Sequence, residues 1–169
     1  VGKYEDLRAD ENSLPAMTGQ AWVFGDAISS RLVVSDAHLL HPPEAVRTFV
    51  LASLAPEFAR QVGAGDFLVA GLDFAADATH RVIPAALKAL RIGAVVARSF
   101  GRFFLRNAID CGLPALIVEE TAAIKTGDCL RVDMEAHIVA NLSSGDRYVI
   151  RNLDDETLAI LRTGGGRRS

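Results

Sequence analysis

The middle third of the chain limits its fold more than any other stretch. Phe67-Leu68-Val69-Ala70, Ala94-Val95-Val96-Ala97 and Ala115-Leu116-Ile117-Val118 are short continuous apolar runs, the pattern of strands buried on both faces. Helical periods lie between them. Ile83, Leu87 and Leu90 recur at helical spacing up to about Arg91. A second helix, from Phe100 to Ala108 with Phe103, Phe104 and Ala108 facing inward, is stopped by Cys111-Gly112-Leu113-Pro114. Strand, helix, strand, helix, strand with short connections predicts parallel βαβ units.

The flanks are read more coarsely. Ala21-Trp22-Val23-Phe24 is a strand-like run closed by Gly25-Asp26, and Leu32-Val33-Val34 is a second short apolar run. His41-Pro42-Pro43-Glu44 reads as a stop followed by a helix start, predicting a helix from Ala45 to Leu54. Beyond Val118 the character changes. Asp128 to Glu135, His137 to Leu142 and Arg147 to Ile150, with Ser143-Ser144-Gly145-Asp146 before the last, predict antiparallel hairpins. Leu153 to Leu161 is a closing amphipathic helix. With no internal repeat or linker, the 169 residues, half of them hydrophobic, form one α/β domain with a mixed sheet. It is expected to span 19–165, after a polar, flexible N-terminal segment 1–18 that contains Glu5, Asp6, Asp10 and Glu11.

Charge and cysteine content exclude several functions. Eighteen Lys and Arg against 21 Asp and Glu leave a net charge of -3, which argues against a nucleic-acid partner held by phosphate neutralisation. The apolar stretches fall far short of the roughly 20 residues of a membrane span. Cys111 and Cys129 stand in no metal-ligand spacing, so this chain is expected to bind no metal or cofactor itself, and so few thiols fit a reduced, cytoplasmic setting. Neither GxxxxGK[ST] nor GxGxxG occurs.

AWVFGDAI, GDFLVAGLDF and PAALKALRIGAVVARSFGRFFLRNAIDCGLPALIV, with LRVDMEAHIVANLSSG and LAILRTGG further on, resemble the small subunit of 3-isopropylmalate dehydratase, the swivel domain of the aconitase superfamily. SFGRFFLRNAIDCGLP is the most specific part of a likeness running from about Gly19 to Gly165. The resemblance implies a swivelling β/β/α domain that docks onto a large subunit carrying a [4Fe-4S] cluster, the pair acting as a hydro-lyase on a small hydroxy di- or tricarboxylic acid. In such a pair the small subunit supplies a serine base and carboxylate-binding arginines.

Two loops depart from the family. Where its pattern is NFGxGSSREHAP, this chain reads Asp73-Phe74-Ala75-Ala76-Asp77-Ala78-Thr79-His80-Arg81-Val82-Ile83-Pro84. The catalytic serine falls on Ala78, the second serine on Thr79 and the carboxylate-binding arginine on His80. Ala75 and Ala76 stand where the pattern is glycine-rich. In the first loop the family's Thr-Asp pair becomes Ser30-Arg31, and its arginine falls on Ala37. The resemblance therefore implies a rebuilt polar group. Thr79 and His80 are expected as catalytic residues, and Arg81, Arg31, Ser30 and Asp77 as substrate-binding ones. Asp77 and Thr79 also suit a helix cap or turn. The alternative is a non-catalytic structural or regulatory partner of a large subunit.

Overall fold

The computed structural model describes residues 13–165. Its strands are β1 (Met17–Val23), β2 (Phe67–Val69), β3 (Ala94–Ala97), β4 (Ala115–Ile117), β5 (Cys129–Asp133), β6 (Ile138–Asn141) and β7 (Arg147–Val149). Its helices are α1 (Ser30–Val33), α2 (Pro43–Val46), α3 (Phe58–Gln61), α4 (Val82–Ala89), α5 (Arg102–Asp110) and α6 (Asp155–Arg162). The strands form one mixed sheet in the order β4-β3-β2-β1-β5-β6-β7.

The three continuous apolar runs are the parallel strands β2, β3 and β4, and every residue of β2 and β3 is buried. The hairpin strands alternate instead: Leu130 and Val132 are buried while Arg131 is exposed, as a strand with one wet face must. β1 joins the two halves. Ala21, Trp22 and Val23 pair in parallel with Phe67, Leu68 and Val69, while Met17 to Gln20 pair antiparallel with Val132 to Cys129. The strand therefore starts four residues before the expected Ala21, because β5 offers it a second partner. Met17 and Thr18, the last residues of the expected flexible segment, belong to this strand; residues 1–12 lie outside the described ones.

Phe67, Phe74 and Phe104 are fully buried, each such side chain being worth about 1.5–3 kcal/mol relative to exposure. Phe74 makes an edge contact with Phe104 at 5.2 Å, and Phe100 stacks on Phe104 at 5.8 Å. Phe103 does not face inward as expected: it is 38% exposed. Phe104 and Ala108 lie four apart and share the buried face of α5, which turns the neighbouring Phe103 away. Phe100 precedes the helix and bridges to Phe74 in extended conformation.

The single helix expected from Ala45 to Leu54 is broken. α2 gives way to a 3-10 turn at Arg47–Phe49, and Leu51, at φ 56°, donates its N–H to Val33 O at 2.9 Å. Burial of Val46, Val50 and Leu51, in a segment packed on α4, outweighs the weak helix preference of Thr48, Phe49 and Val50. The run at Leu32-Val33-Val34 turns out to lie mostly in α1, whose N-cap is Ser29.

The C-terminal end is closed by α6, capped by the Asp154 carboxylate on Thr157 N–H at 2.8 Å. Glu135 holds it down. Its carboxylate accepts from Arg162 Nε at 3.0 Å, from Arg162 Nη2 at 2.5 Å and from Leu14 N–H at 2.8 Å. Among the described residues no helix is long and apolar enough to cross a membrane.

Candidate active site

The carboxyl ends of β1, β2 and β3 lie side by side, so the loops that follow them meet at one edge of the sheet, where ligands of parallel sheets are bound. The first loop runs over 24–29, the second over 70–81 and the third over 98–101. Backbone bonds lace the first two together. Gly71 N–H donates to Gly25 O at 3.2 Å, Ala27 N–H to Leu72 O at 2.7 Å, and Ala75 N–H to Ile28 O at 2.8 Å. Leu72 N–H adds a bond to the Asp26 carboxylate at 2.7 Å. The third loop is laced to the second in the same way. Arg98 N–H donates to Gly71 O at 3.0 Å, Phe74 N–H to Ser99 O at 3.0 Å and Gly101 N–H to Phe74 O at 3.0 Å.

Asp77 completes the assembly. Its Oδ2 accepts from the Ser29 hydroxyl at 2.7 Å and its Oδ1 from Ser30 N–H, also at 2.7 Å. Ser29 Oγ in turn accepts from Arg31 N–H at 3.3 Å. The second loop thus satisfies the first N–H of α1 from across the site. Desolvation pushes the Asp77 carboxyl up, but the bonds from Ser30 N–H and the Ser29 hydroxyl outweigh it and hold the group below the usual carboxylate value.

The lacing strains the backbone. Among the described residues six non-glycine residues take positive φ, and three of them, Ala27 (53°), Asp73 (59°) and Ala75 (51°), belong to these two loops. Each costs about 1–2 kcal/mol relative to glycine. Strain of this kind gathers at functional sites. Ala75 therefore keeps the left-handed turn of a glycine-type position without being glycine. Gly101 is required by close approach instead: a Cβ there would lie 2.5 Å from Ala75 O and 2.6 Å from Ala76 Cα.

The structure distributes the expected site residues unevenly. Thr79, His80 and Arg81 are consecutive and exposed along the outer rim of the second loop. Neither Thr79 nor Asp77 caps α4, whose N-cap position is Arg81 with no side-chain bond. Ser30 is buried, 7% exposed, with its N–H on Asp77. Arg31 is exposed and paired with Asp36 at 3.5 Å. Ala78, expected at the serine position, is buried with 4% exposure, and its N–H turns back to Ala75 O. Ser29, Ser99 and Gly101 were not singled out from the sequence. Ser29 could have been found as a serine directly before a short apolar run, an N-cap signal.

The chain shares this architecture with known proteins. A 3-isopropylmalate dehydratase small subunit from Archaeoglobus fulgidus is 42% identical over 148 residues, covering 87% of this chain and 92% of that one. The chain belongs to the 3-isopropylmalate dehydratase small-subunit family. A methanogen homoaconitase small subunit from Methanothermobacter thermautotrophicus is 36% identical over 155 residues, covering 87% and 86% of the two chains. The crystal structure of a 3-isopropylmalate dehydratase from Methanocaldococcus jannaschii superposes with a TM-score of 0.84 at 28% identity, over 89% of this chain and 90% of that one. No family model matches the chain.

Like those relatives, then, this small subunit is part of a dehydratase, a hydro-lyase that works as a complex. Among the described residues no three His, Cys, Asp or Glu side chains come together to hold a metal. Cys111 ends α5 and Cys129 begins β5. Desolvation pushes the Cys111 thiol up, away from the thiolate a metal needs.

Proposed function

We propose that the chain is the small subunit of a cytoplasmic heterodimer whose large subunit carries a [4Fe-4S] cluster. The pair acts as a hydro-lyase that isomerises a small hydroxy di- or tricarboxylic acid of the 3-isopropylmalate kind. The observation that carries this reading is the pair of laced strand-end loops with Thr79, His80 and Arg81 exposed on their rim.

In this reading the cluster supplies its chemistry from the partner, and this chain supplies protons and charge. The His80 imidazole accepts and returns a proton, and the Thr79 hydroxyl beside it donates to a substrate oxygen. Arg81 grips a substrate carboxylate through its fork, with Arg31 as a second cation once it exchanges Asp36 for substrate. Ser30 and Asp77 act on the substrate through their mutual bond, which sets the position of both loops. Leu72 in the second loop and Phe103 in the first turn of α5, 40% and 38% exposed, add apolar surface, and a large subunit would close on such a mixture.

The test is reconstitution. The purified chain alone should show no isomerase activity, and co-expression with its large subunit should give turnover of a hydroxy di- or tricarboxylic acid. The buried Ala78 favours a second reading, a structural or regulatory partner without chemistry of its own. A cluster-loaded complex that converts no candidate acid would establish that second reading.

A further inference from the structure

Asp73 stands where the second of the three strand-end loops changes partner. On one side of it Leu72 is bonded to the first loop, its carbonyl accepting from Ala27 N–H at 2.7 Å and its N–H donating to the Asp26 carboxylate at 2.7 Å. On the other side Phe74 N–H donates to Ser99 O, in the third loop, at 3.0 Å. Asp73 itself donates its N–H to the Ser99 hydroxyl at 2.7 Å. The residue is thereby fixed at the seam of all three loops, beside the carboxyl ends of the parallel strands where ligands are bound.

The three loops carry three carboxylates, Asp26, Asp73 and Asp77. Asp26 is engaged by Leu72 N–H, and Asp77 by Ser29 and Ser30. Asp73 is exposed, and among the described residues its carboxylate receives only the Ser99 hydroxyl at 3.5 Å, beyond the roughly 2.5–3.0 Å of a full O–H···O bond. It is also held at φ 59°, a conformation that glycine takes without strain. The loop thus keeps a carboxylate where its backbone favours glycine. Ala78, expected at the serine position, brings no oxygen to this loop, whereas Asp73, expected where the motif has asparagine, brings an ionisable one.

We infer that Asp73 is a catalytic base of the reaction proposed above, on which the assignment rests, and that Ser99 is its positioning residue. The Asp73 carboxylate takes the proton from the substrate carbon, and the C–H electron pair becomes the carbon–carbon double bond. The hydroxyl on the neighbouring carbon leaves with the C–O pair and the proton carried by His80, as water. Hydration returns both protons by the reverse steps. Carboxylates remove carbon-bound protons in this way in isomerases.

The test uses the reconstituted complex and the acid that the parent complex converts. Asp73→Asn keeps the shape of the side chain and removes the base, so kcat should fall by about a hundredfold or more with KM little changed. Asp73→Gly should unfold at an equal or higher temperature because its backbone is relaxed, yet lose as much turnover, and added formate should restore part of it. Ser99→Ala should lower kcat by about tenfold through misplacement of Asp73, and Ser99→Thr, which keeps the hydroxyl, should recover it. An active parent whose Asp73→Asn variant turns over normally overturns the assignment alone. A loss in Asp73→Asn matched by a fall in melting temperature, with no rescue of Asp73→Gly by formate, would reduce the residue to a structural role. A parent complex that converts no acid overturns the proposed function, and the assignment with it.

Discussion

The Ser29 hydroxyl donates to the Asp77 carboxylate at 2.7 Å across 48 positions of sequence, and the neighbouring Ser30 N–H donates to the same group. One side chain thereby fastens the loop after β2 to the first turn of α1. Asp77→Ala should leave the Ser30 N–H without its partner, costing about 1 kcal/mol, and should lower turnover of the reconstituted complex at least tenfold by releasing both loops. Urea unfolding and steady-state kinetics measure the two effects. Because the folded-state pKa of Asp77 is lowered, its contribution is complete above the unfolded value near 3.9 and is lost as pH falls through the lower folded value.

His80 and Arg81 are separable by kinetics. His80→Ala should lower kcat at least tenfold with KM little changed, since it removes a proton carrier. Arg81→Ala should act mainly on KM, and Arg81→Lys should restore it only in part, because an ammonium lacks the guanidinium fork. Unchanged kinetics in both variants would remove these residues from the reaction.

Gly101 fixes the distance between the second and third loops. In Gly101→Ala the new methyl meets Ala75 O and Ala76 Cα, both backbone atoms, so relief requires the loop itself to move. The expected cost is about 1–3 kcal/mol, read from thermal or urea unfolding, with a loss of turnover larger than the loss of stability alone would cause.

Glu135 gives the fold an acid-sensitive fastening. The Arg162 guanidinium and the Leu14 N–H hold its carboxyl down to about 2. A lowered folded-state value means that the stabilisation is complete above the unfolded value near 4.3 and is lost as pH falls towards 2. The melting temperature of the parent should therefore fall between pH 4.5 and 2 more steeply than that of Glu135→Gln, which starts lower at neutral pH.

Much of the fold is written in local pattern. Ala94-Val95-Val96-Ala97 is apolar throughout because both faces of β3 are covered, and the alternation around Leu130 and Val132 follows from one covered face. Leu51 was not legible, because its left-handed turn exists only through its bond to Val33, a tertiary partner that no helical period announces. The site divides similarly. The loop from Asp73 to Pro84 could be located by its resemblance to a motif, in which Ala78 is expected to stand at the serine position. The bond from Ser29 to Asp77 could not, since it depends on two loops being laid edge to edge by the register of β1 on β2.

The two-faced pairing of β1 has a consequence for synthesis. Met17 waits for Val132, 115 positions later, whereas Ala21 has its parallel partner Phe67 as soon as β2 is made. A nascent chain that has just released β4 can assemble its parallel half, but the leading half of its first strand still has a vacant edge. Until the β5 segment emerges, that edge is open to strands of neighbouring chains. A chaperone that shields residues 17–20 during this interval would improve the yield of folded protein, and a stop codon placed before Cys129 would send the product to aggregation.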